Sequence, residues 1–111
     1  MSDYFKQLEK IPSKELMPGF HGKFLHLDSM TIAFWEIKAG SILPEHHHVN
    51  DQSTNVLTGE MELTVGDETQ VAKNGVPVII PGNVPHSGKT LTDCTVLDIF
   101  SPARPEYNSF D

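Results

Sequence analysis

Hydrophobic and polar residues alternate along this chain in short runs instead of recurring every three or four positions. Met61, Leu63 and Val65 alternate with Glu62 and Thr64, the period-two signature of a strand wetted on one face. Runs rich in Val, Ile, Thr and Phe predict strands over 20–27, 30–37, 41–48, 53–58, 60–65, 69–73, 76–80, 86–89 and 95–101. Turn residues separate them: Asp28-Ser29, Ala39-Gly40, Thr58-Gly59, Gly66-Asp67, Asn74-Gly75 and Pro81-Gly82-Asn83. Many short strands with a turn signal every few residues predict an all-β sandwich or barrel. Only the start of the chain has helical spacing, in Tyr4, Phe5 and Leu8. Pro12 follows closely, so the expectation there is one short helical turn or an ordered arm.

At 111 residues the chain has material for one domain. Residues 1–18 read as an N-terminal arm, 19–101 as the barrel and 102–111 as a tail that, with Tyr107 and Phe110, folds back over a barrel edge. A hydrophobic fraction of 38% is that of an ordinary globular protein. Eight Lys and Arg against fifteen Asp and Glu give a net charge of −7, which leaves no broad basic face for a phosphate backbone, so no nucleic-acid partner is expected. No apolar run approaches the roughly 20 residues of a membrane span, so no membrane partner is expected either. The first residues lack the pattern of a signal peptide, and lone Cys94 suits a reducing compartment; both point to the cytoplasm.

Three consecutive histidines, His46, His47 and His48, change the picture from fold to chemistry. On a strand His46 and His48 share a face, their Cα atoms roughly 6.6–6.8 Å apart, within reach of one ion. A His-x-His is also what a solvated loop or a hydrogen-bonded core can contain. Here it sits in a longer frame, running Gly40, His46, His48, Gln52 and Gly59, with a second stretch of Gly75, Pro81-Gly82-Asn83 and His86.

These two stretches resemble the two motifs of the cupin superfamily. The resemblance implies a single antiparallel jelly-roll barrel, the double-stranded β-helix, holding a divalent metal on His46, His48, Gln52 and His86. The family usually has Glu where Gln52 stands, Gly where Asn83 stands and Asn where Thr90 stands. An amide oxygen cancels no charge, so three imidazoles and Gln52 leave the full double charge on the ion, favouring Lewis acidity over oxidation chemistry. A one-residue shift of register makes Asp51 the ligand in place of Gln52.

Asp98 sits mid-strand in Val96-Leu97-Asp98-Ile99-Phe100, where a carboxylate has a partner, does chemistry, or faces solvent. Arg104, flanked by Pro102 and Pro105, is the single arginine, either a carboxylate clamp at the barrel mouth or an ordinary exposed side chain. His21, His26, His47 and Cys94 have no motif around them. Trp35, Phe34 and Ile37 read as core.

Several further strings resemble one group of single-domain cupins, the pectin-degradation cupins that ketonise 4,5-unsaturated monouronates: Glu15-Leu16-Met17-Pro18-Gly19, Trp35-Glu36-Ile37, Pro44-Glu45-His46, Val56-Leu57-Thr58-Gly59-Glu60, Asn83-Val84-Pro85-His86-Ser87 and Leu97-Asp98-Ile99-Phe100-Ser101-Pro102. In that group a Gln is expected at the third ligand position. The resemblance implies catalytic roles for Asp98, Phe100 and Arg104, a small anionic sugar as substrate, and nickel as the ion, with zinc, manganese, iron or cobalt as alternatives. A homodimer is expected by the same analogy. The competing expectations are a metal-dependent cupin dioxygenase and a non-enzymatic cupin that binds a metal or small ligand.

Overall fold

A computed structural model describes residues 4–104. It contains ten strands: β1 (Lys14–Met17), β2 (Phe20–His26), β3 (Thr31–Ile37), β4 (Ile42–His46), β5 (Asp51–Thr58), β6 (Met61–Val65), β7 (Glu68–Ala72), β8 (Val78–Ile80), β9 (His86–Thr90) and β10 (Cys94–Ser101). They form two sheets, a six-stranded one in the order β1-β2-β3-β10-β5-β8 and a four-stranded one in the order β4-β9-β6-β7, with every pair antiparallel. This is the all-β jelly roll expected from the alternation and the motifs.

The two sheets face each other across a shared interior. On β10 the buried residues are Cys94, Val96, Asp98 and Phe100, while Thr95, Leu97 and Ile99 lie on the outer face. β3 alternates the same way, burying Thr31, Ala33, Trp35 and Ile37. The expectation that Phe34 joins the core is therefore corrected: it sits half-buried on the opposite face, because two successive strand residues cannot point to one side. Trp35 anchors the interior, meeting Phe20 and Phe24 edge-on with centroids 6.2 and 5.3 Å away. Gly22 makes that seat possible, since a Cβ there would lie 2.9 Å from the indole and 2.6 Å from the Phe24 ring. Each large apolar side chain removed from water here contributes roughly 1.5–3 kcal/mol.

The structure differs from the sequence expectation in four local places. The opening segment contributes only a short 3-10 turn, Leu8–Lys10, and then a strand: β1 pairs with β2 at the edge of the large sheet. β4 ends at His46, so His48 belongs to the connection and not to the strand. β5 in turn begins earlier than expected, at Asp51. β8 is shortened to Val78–Ile80, as Pro77 has no N–H to give to a ladder. Pro105, Tyr107 and Phe110, which carry the expectation of a tail folded over the barrel edge, lie outside the described residues.

Candidate metal centre

The two histidine-bearing stretches are brought together at one end of the barrel. His46 closes β4 and pairs directly with His86, the first residue of β9. The turn before β9 is fastened to the His48 loop: Asn83 donates its N–H to the His48 carbonyl at 2.7 Å, and Gly82 donates to Asp51 Oδ1 at 2.8 Å. Gly82 lies so close that a Cβ would stand 2.4 Å from the Val49 carbonyl oxygen. Asn83 has φ +67°, the left-handed region that asparagine tolerates better than most residues, which accounts for glycine being usual there in the motif it resembles.

The ligand atoms of His46, His48 and His86 all lie within 4.8 Å of one another. The ring centroids of His46 and His86 are 4.2 Å apart, and those of His48 and His86 are 4.9 Å apart. In each ring Nδ1 faces a backbone carbonyl: Pro44 for His46 and Val84 for His86, both at 2.9 Å, and Asn50 for His48 at 3.0 Å. A carbonyl oxygen only accepts, so Nδ1 carries the hydrogen in all three. Nε2 is left as a lone pair directed into the cluster. His86 Nε2 is buried and has no hydrogen-bond partner.

Gln52 lies beside the three histidines. It is buried at the start of β5, paired with Ile80 and Phe100, and its Oε1 lies 3.0 Å from His48 Nε2. Its amide nitrogen donates to Thr54 Oγ1 at 2.9 Å and helps stabilise the Asp98 carboxylate, which leaves the carbonyl oxygen facing His48. Two lone pairs then oppose each other at hydrogen-bonding distance. That arrangement, with the orphaned Nε2 of His86, is what a shared cation resolves. Protonation is the other remedy, and the site resists it. Burial, then the Arg104 charge, holds His48 below its ordinary value, and burial pushes His86 down to about 4. Three imidazole nitrogens and one amide oxygen fit a borderline divalent ion of the zinc, nickel, cobalt, iron or manganese type. Asp51, the alternative ligand, is exposed and its Oδ1 holds the Gly82 N–H.

The remaining residues singled out from the sequence separate clearly. Asp98 lies one inward step along β10 from Phe100, buried, with Oδ2 accepting the indole N–H of Trp35 at 3.0 Å. Its Oδ1 has no hydrogen-bond partner of standard geometry. Burial pushes this carboxyl up to about 6, against the opposing influence of Thr54, Gln52, Trp35 and the Arg104 charge. Phe100 is edge-on to His48, centroids 5.7 Å apart, and the Arg104 guanidinium stands 5.0 Å over the Phe100 ring. A cavity of about 390 Å³ opens among His46, His86, Gln52, Asp98, Phe100 and Arg104, and its deeper walls are apolar, including Trp35, Leu43, Met61 and Leu63.

Elsewhere, His47 is exposed, and His21 is half-buried 3.7 Å from Glu15. His26 bonds Thr31 Oγ1, and Cys94 is buried with its thiol raised by desolvation. Sequence reasoning did not single out Thr54, Asn50 or the contact between Trp35 and Asp98. The one available signal was the mid-strand carboxylate, which needed a buried donor from a neighbouring strand.

Comparison with known proteins agrees with this architecture. The cupin domain family model matches residues 33–100. An uncharacterized protein of Streptomyces coelicolor is 31% identical over 85 residues, covering 76% of this chain and 81% of the relative. Among solved structures, an RmlC-like cupin from Shewanella frigidimarina superposes with a TM-score of 0.89 at 23% identity over 96% of both chains. KdgF from Halomonas sp. gives 0.84 at 24% identity, covering 89% of this chain and 93% of that one. A salicylate 1,2-dioxygenase from Pseudaminobacter salicylatoxidans gives 0.74 at 19% identity, with 86% of this chain matching 30% of that one. At these identities the structures share a fold, and the same barrel serves different reactions.

Proposed function

Because this chain belongs to the cupin domain family, we propose that it is a metal-dependent enzyme that ring-opens and ketonises small anionic sugars of the 4,5-unsaturated monouronate class. The observation that carries the reading is the juxtaposition of a neutral-ligand metal cluster with a buried carboxyl poised near neutrality and a guanidinium, all on one cavity. His46, His48, Gln52 and His86 would hold a divalent ion, nickel by resemblance, whose Lewis acidity stabilises negative charge developing on a bound oxygen.

Asp98, with its carboxyl near 6, both accepts and returns a proton close to physiological pH, which suits hemiacetal opening followed by protonation of the enol carbon. Trp35 holds Oδ2 of that carboxylate, leaving Oδ1 to exchange the proton. Arg104 binds the sugar carboxylate, a local cation that a chain of net charge −7 needs to capture an anion. Phe100 forms the wall under Arg104 and beside His48. The proton leaving the hydroxyl and the proton arriving at carbon balance, so no oxidant or organic cofactor enters.

The uronate substrate rests on the sequence strings that resemble the ketonising group, and the non-oxidative chemistry rests on Gln52. A dioxygenase would take up oxygen, and a binding cupin would leave substrate unchanged. The same proposal includes a homodimer, for which exposed Tyr4 and Phe5 offer apolar surface, and action in the cytoplasm. Among the described residues no helix is long and apolar enough to cross a membrane. The test loads chelator-stripped protein with each of nickel, zinc, cobalt, manganese and iron, then follows loss of ultraviolet absorbance from unsaturated galacturonate and mannuronate. Accelerated decay without oxygen uptake supports the reading; no acceleration with any ion ends it.

A further inference from the structure

We infer that Asn50 is a positioning residue that fixes the Arg104 guanidinium relative to the metal cluster. The inference rests on the reading of Arg104 as the anion clamp and extends it to the residue that aims the clamp. Asn50 is 5% exposed and sits in the β4–β5 connection between His48 and Gln52. Its backbone and its side chain hold two different segments. The backbone carbonyl accepts the His48 Nδ1 hydrogen at 3.0 Å, while the side-chain amide donates to the chain leaving the neighbouring strand β10, at the carbonyl oxygens of Pro102 and Ala103, 2.5 and 3.4 Å away.

Those carbonyls belong to the segment that leaves β10 and carries Arg104. A second tie completes the strap: Arg104 donates its backbone N–H to Thr31 Oγ1 at 2.8 Å, and Thr31 is fully buried at the start of β3. The segment contributes no strand after Ser101, so side-chain bonds take the place of ladder bonds in holding it. With the strap in place, the guanidinium stands over Phe100 and its charge acts on His48, His86 and Asp98 together.

A double-mutant cycle tests this on zinc-loaded protein, with saturated galacturonate as an unreactive carboxylate and Trp35 fluorescence or calorimetry as the readout. Asn50→Asp keeps the shape but replaces the donor with a group that repels the two carbonyls. It should weaken galacturonate binding about tenfold, as Arg104→Ala does, and add nothing further in the Arg104→Ala background. Thr31→Val, which removes the other tie, should move in the same direction. Effects of Asn50→Asp and Arg104→Ala that multiply, or an Asn50→Asp protein with full affinity, would overturn the inference.

Failure of the underlying reading is distinguishable. If wild-type protein binds no galacturonate, the Arg104 backbone amide reports the strap directly, by hydrogen exchange. Exchange at least tenfold faster in Asn50→Asp supports the positioning role, and unchanged exchange contradicts it.

Discussion

The indole N–H of Trp35 reaches across from β3 to donate to Asp98 Oδ2 on β10, joining residues 63 positions apart at 3.0 Å. It holds one oxygen of a buried carboxylate, whose other oxygen is buried without a partner of standard geometry, and with Thr54 and Gln52 it stabilises the charge that burial opposes.

Asp98 is therefore expected to cost stability in exchange for function. Its folded value of about 6 exceeds the ordinary 3.8, so ionising it in the fold is unfavourable; the penalty is fully present above pH 6 and is relieved as pH falls through 6 towards 3.8. Asp98→Asn should raise the stability of the metal-free protein at pH 7–8 by about 2–3 kcal/mol. The gain should vanish below pH 4, as read by chemical denaturation. The same substitution should abolish uronate turnover while metal content stays intact; metal loss would reassign Asp98 to structure.

His86 imposes the opposite slope. Its value of about 4 lies below the ordinary 6.5, so the unfolded chain takes up a proton first. The contribution to metal-free stability is complete above pH 6.5 and is lost as pH falls to 4. Comparing Asp98→Asn with the Asp98→Asn/His86→Gln double variant isolates it. The first should lose stability between pH 6.5 and 4 more steeply than the second, measured as denaturation midpoints.

Gln52→Glu adds a negative ligand where the site now has a neutral one. Metal retention against a competing chelator should rise at least tenfold. Turnover of unsaturated uronates should fall, because the ion becomes a weaker Lewis acid and a second carboxylate stands beside Asp98. Equal or faster turnover would remove the argument for a neutral ligand set.

Gly82→Ala tests how the two motif stretches are locked together. Its Cβ would meet the Val49 carbonyl oxygen at 2.4 Å, forcing apart the turn and the His48 loop. The variant should lose about 1–3 kcal/mol and bind metal more weakly, whereas an unchanged melting temperature would show the contact to be yielding.

Much of this architecture is legible in sequence because alternation reports burial directly: β3 and β10 each bury every second residue, and β6 buries Met61 and Leu63. β1 escaped because Lys14, Glu15, Leu16 and Met17 form an edge strand with no alternating burial, between two prolines. His46, His48, Gln52 and His86 were singled out through the motifs their spacing resembles, and the structure brings them together, although His48 reaches the cluster from a connection, turned by its bond to Asn50. What no spacing reveals is who holds whom across strands. The Trp35–Asp98 bond and the strap from Asn50 to Pro102 span 63 and 52 positions, and both depend on the register of β10 with β3 and β5, which exists only after those strands have paired.

The central claim is that four side chains from two distant stretches share one cation. Equilibrium titration of chelator-stripped protein with a divalent ion, followed by elemental analysis after gel filtration, tests it most directly. The account predicts one ion retained per chain and its loss in His86→Ala; wild-type protein that retains none, or a His86→Ala protein that holds the ion as tightly, would contradict it.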